Sequence, residues 1–219
     1  MRTVSLLSGG LDSVVATAAA AREGSVELAL TFDYGQRAAP AEMRAAAAVC
    51  RELGLRHRAI ELPWLADITG TALVDRASPL PGLAADELDD RQKTLASAAA
   101  VWVPNRNGVF INVAAAFAES LGCEAVVVGF NAEEGQTFPD NTPEFAAAAS
   151  AALAYSTQTH VRVVSATQHL TKAEIVALGR QLGAPLAHVW SCYEPGPEPC
   201  GKCESCLRSA RAFQAQGGA

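Results

Sequence analysis

No apolar run in this 219-residue chain approaches the roughly 18 residues needed to span a bilayer. The first residues carry no signal-peptide pattern, because their short apolar run enters a Ser-Gly-Gly turn. A cytoplasmic protein with no membrane partner is expected. There is no convincing internal repeat and no low-complexity linker. Histidine is scarce. The four histidines, His57, His160, His169 and His188, share no metal-ligand spacing, and neither a Ser–His nor a Cys–His pair is evident. The chemistry to look for is therefore positioning and charge neutralisation, not covalent attack by the protein. Basic side chains number 17 against 23 acidic ones, a formal net charge of -6. That balance argues against non-specific nucleic-acid binding. Half the residues are apolar, which excludes a disordered chain and suits one α/β domain with a small appendage.

What is present begins with Val4-Ser5-Leu6-Leu7-Ser8-Gly9-Gly10-Leu11-Asp12-Ser13. A short apolar run ends in a glycine turn, and an Ala/Val-rich helical pattern follows through Val14, Val15, Ala16 and Thr17. Strand, tight loop and helix in that order form a phosphate cradle. The helix start offers unpaired N–H groups and the positive end of its dipole. Gly9 and Gly10 let the backbone close on an anion. Ser8 and Ser13 add hydroxyls, and Asp12 is placed to hold Mg²⁺ beside the phosphates. The bland alternative is a helix cap with no ligand.

Further along, strands are expected over 26–32, 57–62, 125–130 and 161–165. Helices are expected over 14–23, 40–53, from about 106 to 121, from about 138 onward, and over 172–182. Alanine runs at 18–21, 45–48 and 146–149 favour three of these helices. Thr171 and Glu174 have capping-box spacing. Alternating strands and helices indicate a mostly parallel sheet with helices on both faces, which binds ligands beyond the carboxyl ends of its strands. Residues 63–100 have weak periodicity and read as an insertion over the site, either a lid or an inert surface excursion.

Four cysteines crowd the last 30 residues: Cys192, Cys200, Cys203 and Cys206, spaced C-x7-C-x2-C-x2-C. Such clustering reads as a metal site. Zn²⁺ suits four sulfurs and would be structural; an iron–sulfur cluster is the rival. Cys50 and Cys123 read as core residues. Gly196-x4-Gly201-Lys202 mimics a Walker A start, but Cys203 replaces Ser or Thr and no buried strand precedes it.

Asp33, Tyr34 and Gln36 follow the second strand, where they can line an adenosine pocket or form a turn network. Arg106 precedes a helix and suits a phosphate or carboxylate clamp, or a surface salt bridge. Asn131, Glu133 and Glu134 leave the strand at 125–130, where a second substrate would lie; the two glutamates suit Mg²⁺ or an amine, or form a solvated face. Lys172 is either a phosphate-neutralising group or an ordinary helix lysine.

The string Ser8-Gly9-Gly10-Leu11-Asp12-Ser13 resembles the pyrophosphate loop of the ATP pyrophosphatases. Together with Phe32-Asp33-Tyr34-Gly35-Gln36, Val103-Pro104, Arg106-Asn107, Gly129, Asn131-Ala132-Glu133, Phe138-Pro139-Asp140, Pro143-Glu144-Phe145, Lys172 to Ile175, Trp190 to Glu194 and the cysteine tail, it resembles the 7-cyano-7-deazaguanine synthase family nearly end to end. The resemblance implies a Rossmann-like, adenine nucleotide alpha hydrolase-like domain over 1–186 and a zinc-binding four-cysteine segment with a terminal helix over 187–219. It implies ATP bound by 7–17 with Asp33, Tyr34 and Gln36, and catalytic roles for Asp12, Ser13, Arg106 and Lys172. It implies an acceptor held by Arg106, Asn131, Glu133, Phe138, Asp140 and Glu144. It also implies Mg²⁺, structural Zn²⁺, ammonia as co-substrate and a homodimer with no direct nucleic-acid partner. Asn141-Thr142 stand where the family commonly has Cys-Arg, Asn105 where it has Gly, and Gly108-Val109 where it has Thr-Ile. A related adenylating ligase or tRNA thiolase, and a non-catalytic nucleotide-binding zinc scaffold, are the competing readings.

Overall fold

A computed structural model describes residues 1–217. One parallel sheet contains β1 (Arg2–Leu6), β2 (Ser25–Asp33), β3 (His57–Glu61), β4 (Ala125–Val127) and β5 (Arg162–Val164), in the order β3-β2-β1-β4-β5. The chain winds outward from β1 to β3, then returns to the other side of β1 with β4. That reversal opens a crevice at the carboxyl ends of β1 and β4.

Helices α1 (Leu11–Glu23), α2 (Ala39–Leu53), α3 (Trp64–Asp67), α4 (Arg91–Ala100), α5 (Arg106–Ser120), α6 (Pro143–Ser156), α7 (Lys172–Leu182) and α8 (Glu204–Ala215) surround the sheet. Period-two alternation along β2 explains why both faces are covered. Leu28, Leu30 and Phe32 turn to one face, against Ile111 and Ala114 of α5 and Leu153 of α6. Ala29 turns to the other, against Val14 of α1 and Ala46 and Val49 of α2. Leu11 and Val15 pack on Ile175 and Val176 of α7 and Ala212 of α8. Full burial of each such Val or Ile contributes about 2 kcal/mol. Cys50 and Cys123 are buried in these layers, as expected. Glu174 caps α7 as its spacing promised: its N–H donates to the Thr171 hydroxyl (3.3 Å), and its carboxylate accepts the Thr171 N–H (2.8 Å).

Three boundaries differ from expectation by more than two residues. Helix α1 starts at Leu11, not Val14, because the glycine turn finishes at Gly10. The β4 ladder ends at Val127, since its partner Ser5 is one residue from the end of β1. Residues 138–142 form a short 3-10 turn, Pro139–Asn141, before Thr142 caps α6 with its hydroxyl on the Phe145 N–H (3.2 Å).

The insertion at 63–100 is ordered and carries α3 and α4. Asp90 caps α4 by accepting from Gln92 and Lys93. The insertion docks on the cysteine segment through the Gly82–Cys203 bridge, the Ser97–Glu204 hydrogen bond, and Arg208 to the Leu88 carbonyl (3.0 Å). Arg37 ties the exit of β2 to the carbonyls of Asp75 and Ser78 and to Glu194 (3.5 Å). Residues 218 and 219 of the expected tail lie outside the described residues.

Candidate nucleotide and acceptor site

The loop between β1 and α1 is held from behind. Gly9 has φ +86, and a Cβ there would stand 2.8 Å from the Ala45 Cβ of α2. Its carbonyl accepts the Trp190 N–H (2.8 Å). The Ser8 and Ser13 hydroxyls lie 3.1 Å apart, and Ser13 also donates to the Gly10 carbonyl (2.9 Å). At Gly129 a Cβ would come within 2.6 Å of the Ser13 nitrogen, so only glycine lets the exit of β4 meet the start of α1. Gly10, Asp12 and Ser13, at the end of the loop and in the first turn of α1, line the crevice, where a helix start offers N–H donors.

Across that mouth lies an ionic triad of buried Lys172 with half-buried Asp12 and Glu134. The Lys172 ammonium donates to Asp12 (2.7 Å) and to Glu134 (2.7 Å). Burial, with help from Glu134 and Glu133, pushes Asp12 up to about 6 although Lys172 pulls the other way. Burial opposes the Lys172 charge, but the two carboxylates win and raise its pKa. Burial likewise opposes ionised Glu134, yet Lys172 holds its pKa below the ordinary value. The second Asp12 oxygen, Oδ1, is buried with no hydrogen-bond partner among the described residues. An unsatisfied carboxylate oxygen beside a phosphate cradle fits a divalent cation. Asn131 organises the neighbouring turn by accepting from the Glu133 and Glu134 N–H groups (3.0 and 2.9 Å). Glu133 accepts the Lys172 N–H at the start of α7 (2.7 Å).

The β2 exit forms the other end. Gln36 accepts from the Tyr34 N–H (2.9 Å) and donates to the Phe32 carbonyl (2.9 Å) and to Glu42 (2.7 Å). Arg106 donates to the Tyr34 hydroxyl (3.1 Å), and its guanidinium lies 5.7 Å from the ring centroid. Burial opposes the Arg106 charge, but Tyr34, Asp140 and Glu42 raise its pKa. Burial raises that of Glu42 despite the Gln36 hydrogen bond.

One cavity of about 280 Å³ joins these ends. Of the residues expected to bind ATP, Leu7, Ser8, Gly10, Asp12, Ser13, Tyr34 and Gln36 line it. Of those expected at the acceptor, Arg106, Glu133 and Phe138 do, as does Lys172. Leu11, Val14 and Val15 belong to the core instead. Ala16 is buried, and Thr17 is spent on the Ser13 carbonyl (2.6 Å) and the Ser5 hydroxyl (2.7 Å). Gly9 backs the loop. Asp33 closes a turn onto the Gly35 N–H (3.0 Å), and Asn131 works from behind the wall. Asp140 is near enough to Arg106 for the guanidinium to act on its charge, but it does not line the cavity. Glu144 is exposed on the first turn of α6, outside the cavity, because α6 begins only at Pro143.

Sequence reasoning missed Glu42, Asn141, Trp190, Tyr193, Glu204 and Arg208 as lining residues. The last four come from the cysteine segment. The Sγ atoms of Cys192, Cys200, Cys203 and Cys206 lie within 4.8 Å of one another. Cys192 accepts N–H bonds from Glu194 and Cys200 (3.3 Å each), and Cys200 from Lys202 and Cys203 (3.4 Å each). Sulfurs that converge and accept N–H bonds in this way suit thiolate ligands of a metal ion. The segment is therefore a wall of the cavity as well as a candidate metal centre.

A family model described as "Queuosine biosynthesis protein QueC" matches residues 2–217. The chain is 56% identical over 217 residues to 7-cyano-7-deazaguanine synthase of Pelotomaculum thermopropionicum, covering 99% of this chain and 98% of the relative. It is 58% identical over 217 residues to that of Desulforamulus reducens, covering 99% and 95%. Against that of Methanosarcina mazei it is 49% identical over 217 residues, covering 98% and 94%. The chain belongs to the QueC family of queuosine biosynthesis proteins.

Proposed function

We propose that this chain converts 7-carboxy-7-deazaguanine and ammonia to 7-cyano-7-deazaguanine with ATP, releasing AMP and pyrophosphate. One observation carries this reading. A single cavity joins the β1–α1 loop to the exit of β4, so a nucleotide and an acceptor share one space in a chain that matches synthases end to end.

A carboxylate is a poor electrophile because its oxygen leaves badly. The carboxylate oxygen attacks the α-phosphorus of ATP, and pyrophosphate departs. Ammonia attacks the activated carbon and sheds a proton, AMP leaves with that oxygen, and an amide remains. The amide oxygen is adenylated by a second ATP in the same way. Loss of AMP and of both N–H protons leaves the nitrile. The loop N–H groups and Lys172 neutralise charge developing on pyrophosphate. Asp12 and Glu134 would hold Mg²⁺, which supplies further charge neutralisation when bound. Arg106 orients an anionic group at the β2 side of the cavity. The four cysteines would hold Zn²⁺, which fastens the segment carrying Tyr193, Glu204 and Arg208.

In this reading the enzyme is cytoplasmic and homodimeric, and acts on small molecules without direct nucleic-acid contact. The net charge of -6 supports the last point. The test is release of AMP and pyrophosphate from ATP·Mg²⁺ by zinc-loaded protein. Release that requires the acceptor agrees. Intact ATP in the presence of acceptor and ammonia contradicts it.

A further inference from the structure

Helix α8 brings Arg208 to the cavity wall from the far end of the chain. Arg208 is pinned by Glu204 (Nε to Oε1, 2.7 Å) and by the Leu88 carbonyl (Nη2, 3.0 Å). Its Nη1 lies 3.6 Å from Glu133 Oε2, too far for a hydrogen bond. Glu133 is fixed through its other oxygen on the Lys172 N–H. Besides Arg208, Arg211 alone among the described residues faces Oε2 as an ion-pair partner, at 4.0 Å. A guanidinium and a carboxylate oxygen thus stand side by side, both anchored, as an ion pair with no hydrogen bond between them. The opposite end of the cavity differs, because Arg106 is engaged by Tyr34 and Glu42 by Gln36.

We propose that Arg208 and Glu133 form the recognition pair for the base edge of the acceptor, resting on the function proposed above. A guanine-type edge presents an acceptor oxygen at C6 beside two donors, N1–H and the 2-amino group. A donor beside an acceptor is its complement: Arg208 donates to the C6 oxygen, and Glu133 accepts from N1–H and the amino group. Phe138, Trp190 and Tyr193 also line the cavity and suit a planar ring. Glu133 and Glu134 then divide their labour, Glu133 reading the base and Glu134 serving the phosphates with Lys172. Specificity of this kind is strong, because a missing donor leaves a carboxylate unpaired.

The test compares wild type, Glu133→Gln and Arg208→Lys on 7-carboxy-7-deazaguanine and on its analogue lacking the 2-amino group. Wild type loses about 100-fold in kcat/KM on the analogue. Glu133→Gln raises the acceptor KM about 10-fold, keeps the ATP KM within about 3-fold, and loses only about 3-fold more on the analogue. Arg208→Lys raises the acceptor KM about 10-fold at unchanged zinc content. If Arg208→Lys sheds zinc or fails to fold, Glu133→Gln decides, since glutamine still accepts the Lys172 N–H. Full discrimination retained by Glu133→Gln, or an equal rise in both KM values, overturns the pair while leaving the activity intact. Wild type that converts no acceptor overturns the activity itself.

Discussion

Lys172 of α7 and Asp12 of α1 meet at 2.7 Å across the mouth of the β1–α1 loop, although 160 residues separate them in the chain. The contact sits where a triphosphate would dock, and it leaves Asp12 Oδ1 unsatisfied. The site is therefore poised at the expense of stability. Asp12→Asn is expected to cut turnover about 100-fold, the loss typical of one pre-organised charge, without lowering Tm. Steady-state kinetics alongside thermal melting check both halves.

The same carboxyl sets a pH dependence. Its folded pKa is about 6 against an ordinary 3.8, so folding favours its protonated form. That stabilising contribution is complete below about pH 4 and is lost as pH rises through about 6. Without nucleotide or Mg²⁺, the Tm advantage of Asp12→Asn over wild type is expected to grow between about pH 4 and about pH 6.5. A constant difference contradicts this. Catalysis runs the other way: ionised Asp12 is needed, so kcat/KM for ATP is expected to climb through about pH 6 and then level.

Asn105 and Gly108 form a coupled pair. Asn105 sits in the left-handed region at φ 51, which asparagine tolerates better than most residues. Its Oδ1 lies 2.2 Å from where a Gly108 Cβ would stand. Gly108→Ala is expected to displace the exposed Asn105 side chain at a cost under about 1 kcal/mol, and Asn105→Gly is expected to remove that cost. A denaturant double-mutant cycle with additive effects contradicts the coupling.

Much of the fold is legible in the sequence because it is written locally. Strand alternation, the Ser-Gly-Gly turn and the Thr171–Glu174 box each act within a few residues. Helix α4 is not legible because only Thr94, Ser97 and Ala98 are buried along it, a pattern with no apolar stripe. The site is half legible. The loop, Tyr34 and Gln36 follow strand ends, and Arg106 and Lys172 open helices, places where ligand groups gather. Glu42 lies inside a helix, and Arg208 reaches the cavity only because the cysteine segment folds back; neither carries a local signal. The run Val14–Thr17 follows the loop in sequence yet turns its side chains into the core, as a helix must every few residues. Gly129 is legible only as part of a family pattern, since its reason is the Ser13 nitrogen of a distant element.

The Gly82–Cys203 bridge links the four-cysteine cluster to the insertion. Cys203→Ser is expected to lose the metal, lower Tm by about 10 °C or more and expose residues 79–90 to protease. Metal analysis, melting and limited proteolysis report each part. Unchanged proteolysis in metal-free protein contradicts the link.

Mass spectrometry of the product made with ¹⁵N-ammonium, with AMP counted in the same reaction, probes the heart of the account. It predicts a nitrile carrying one ¹⁵N and two AMP formed per nitrile. An unchanged carboxylate beside unspent ATP, in folded zinc-loaded protein, would contradict it.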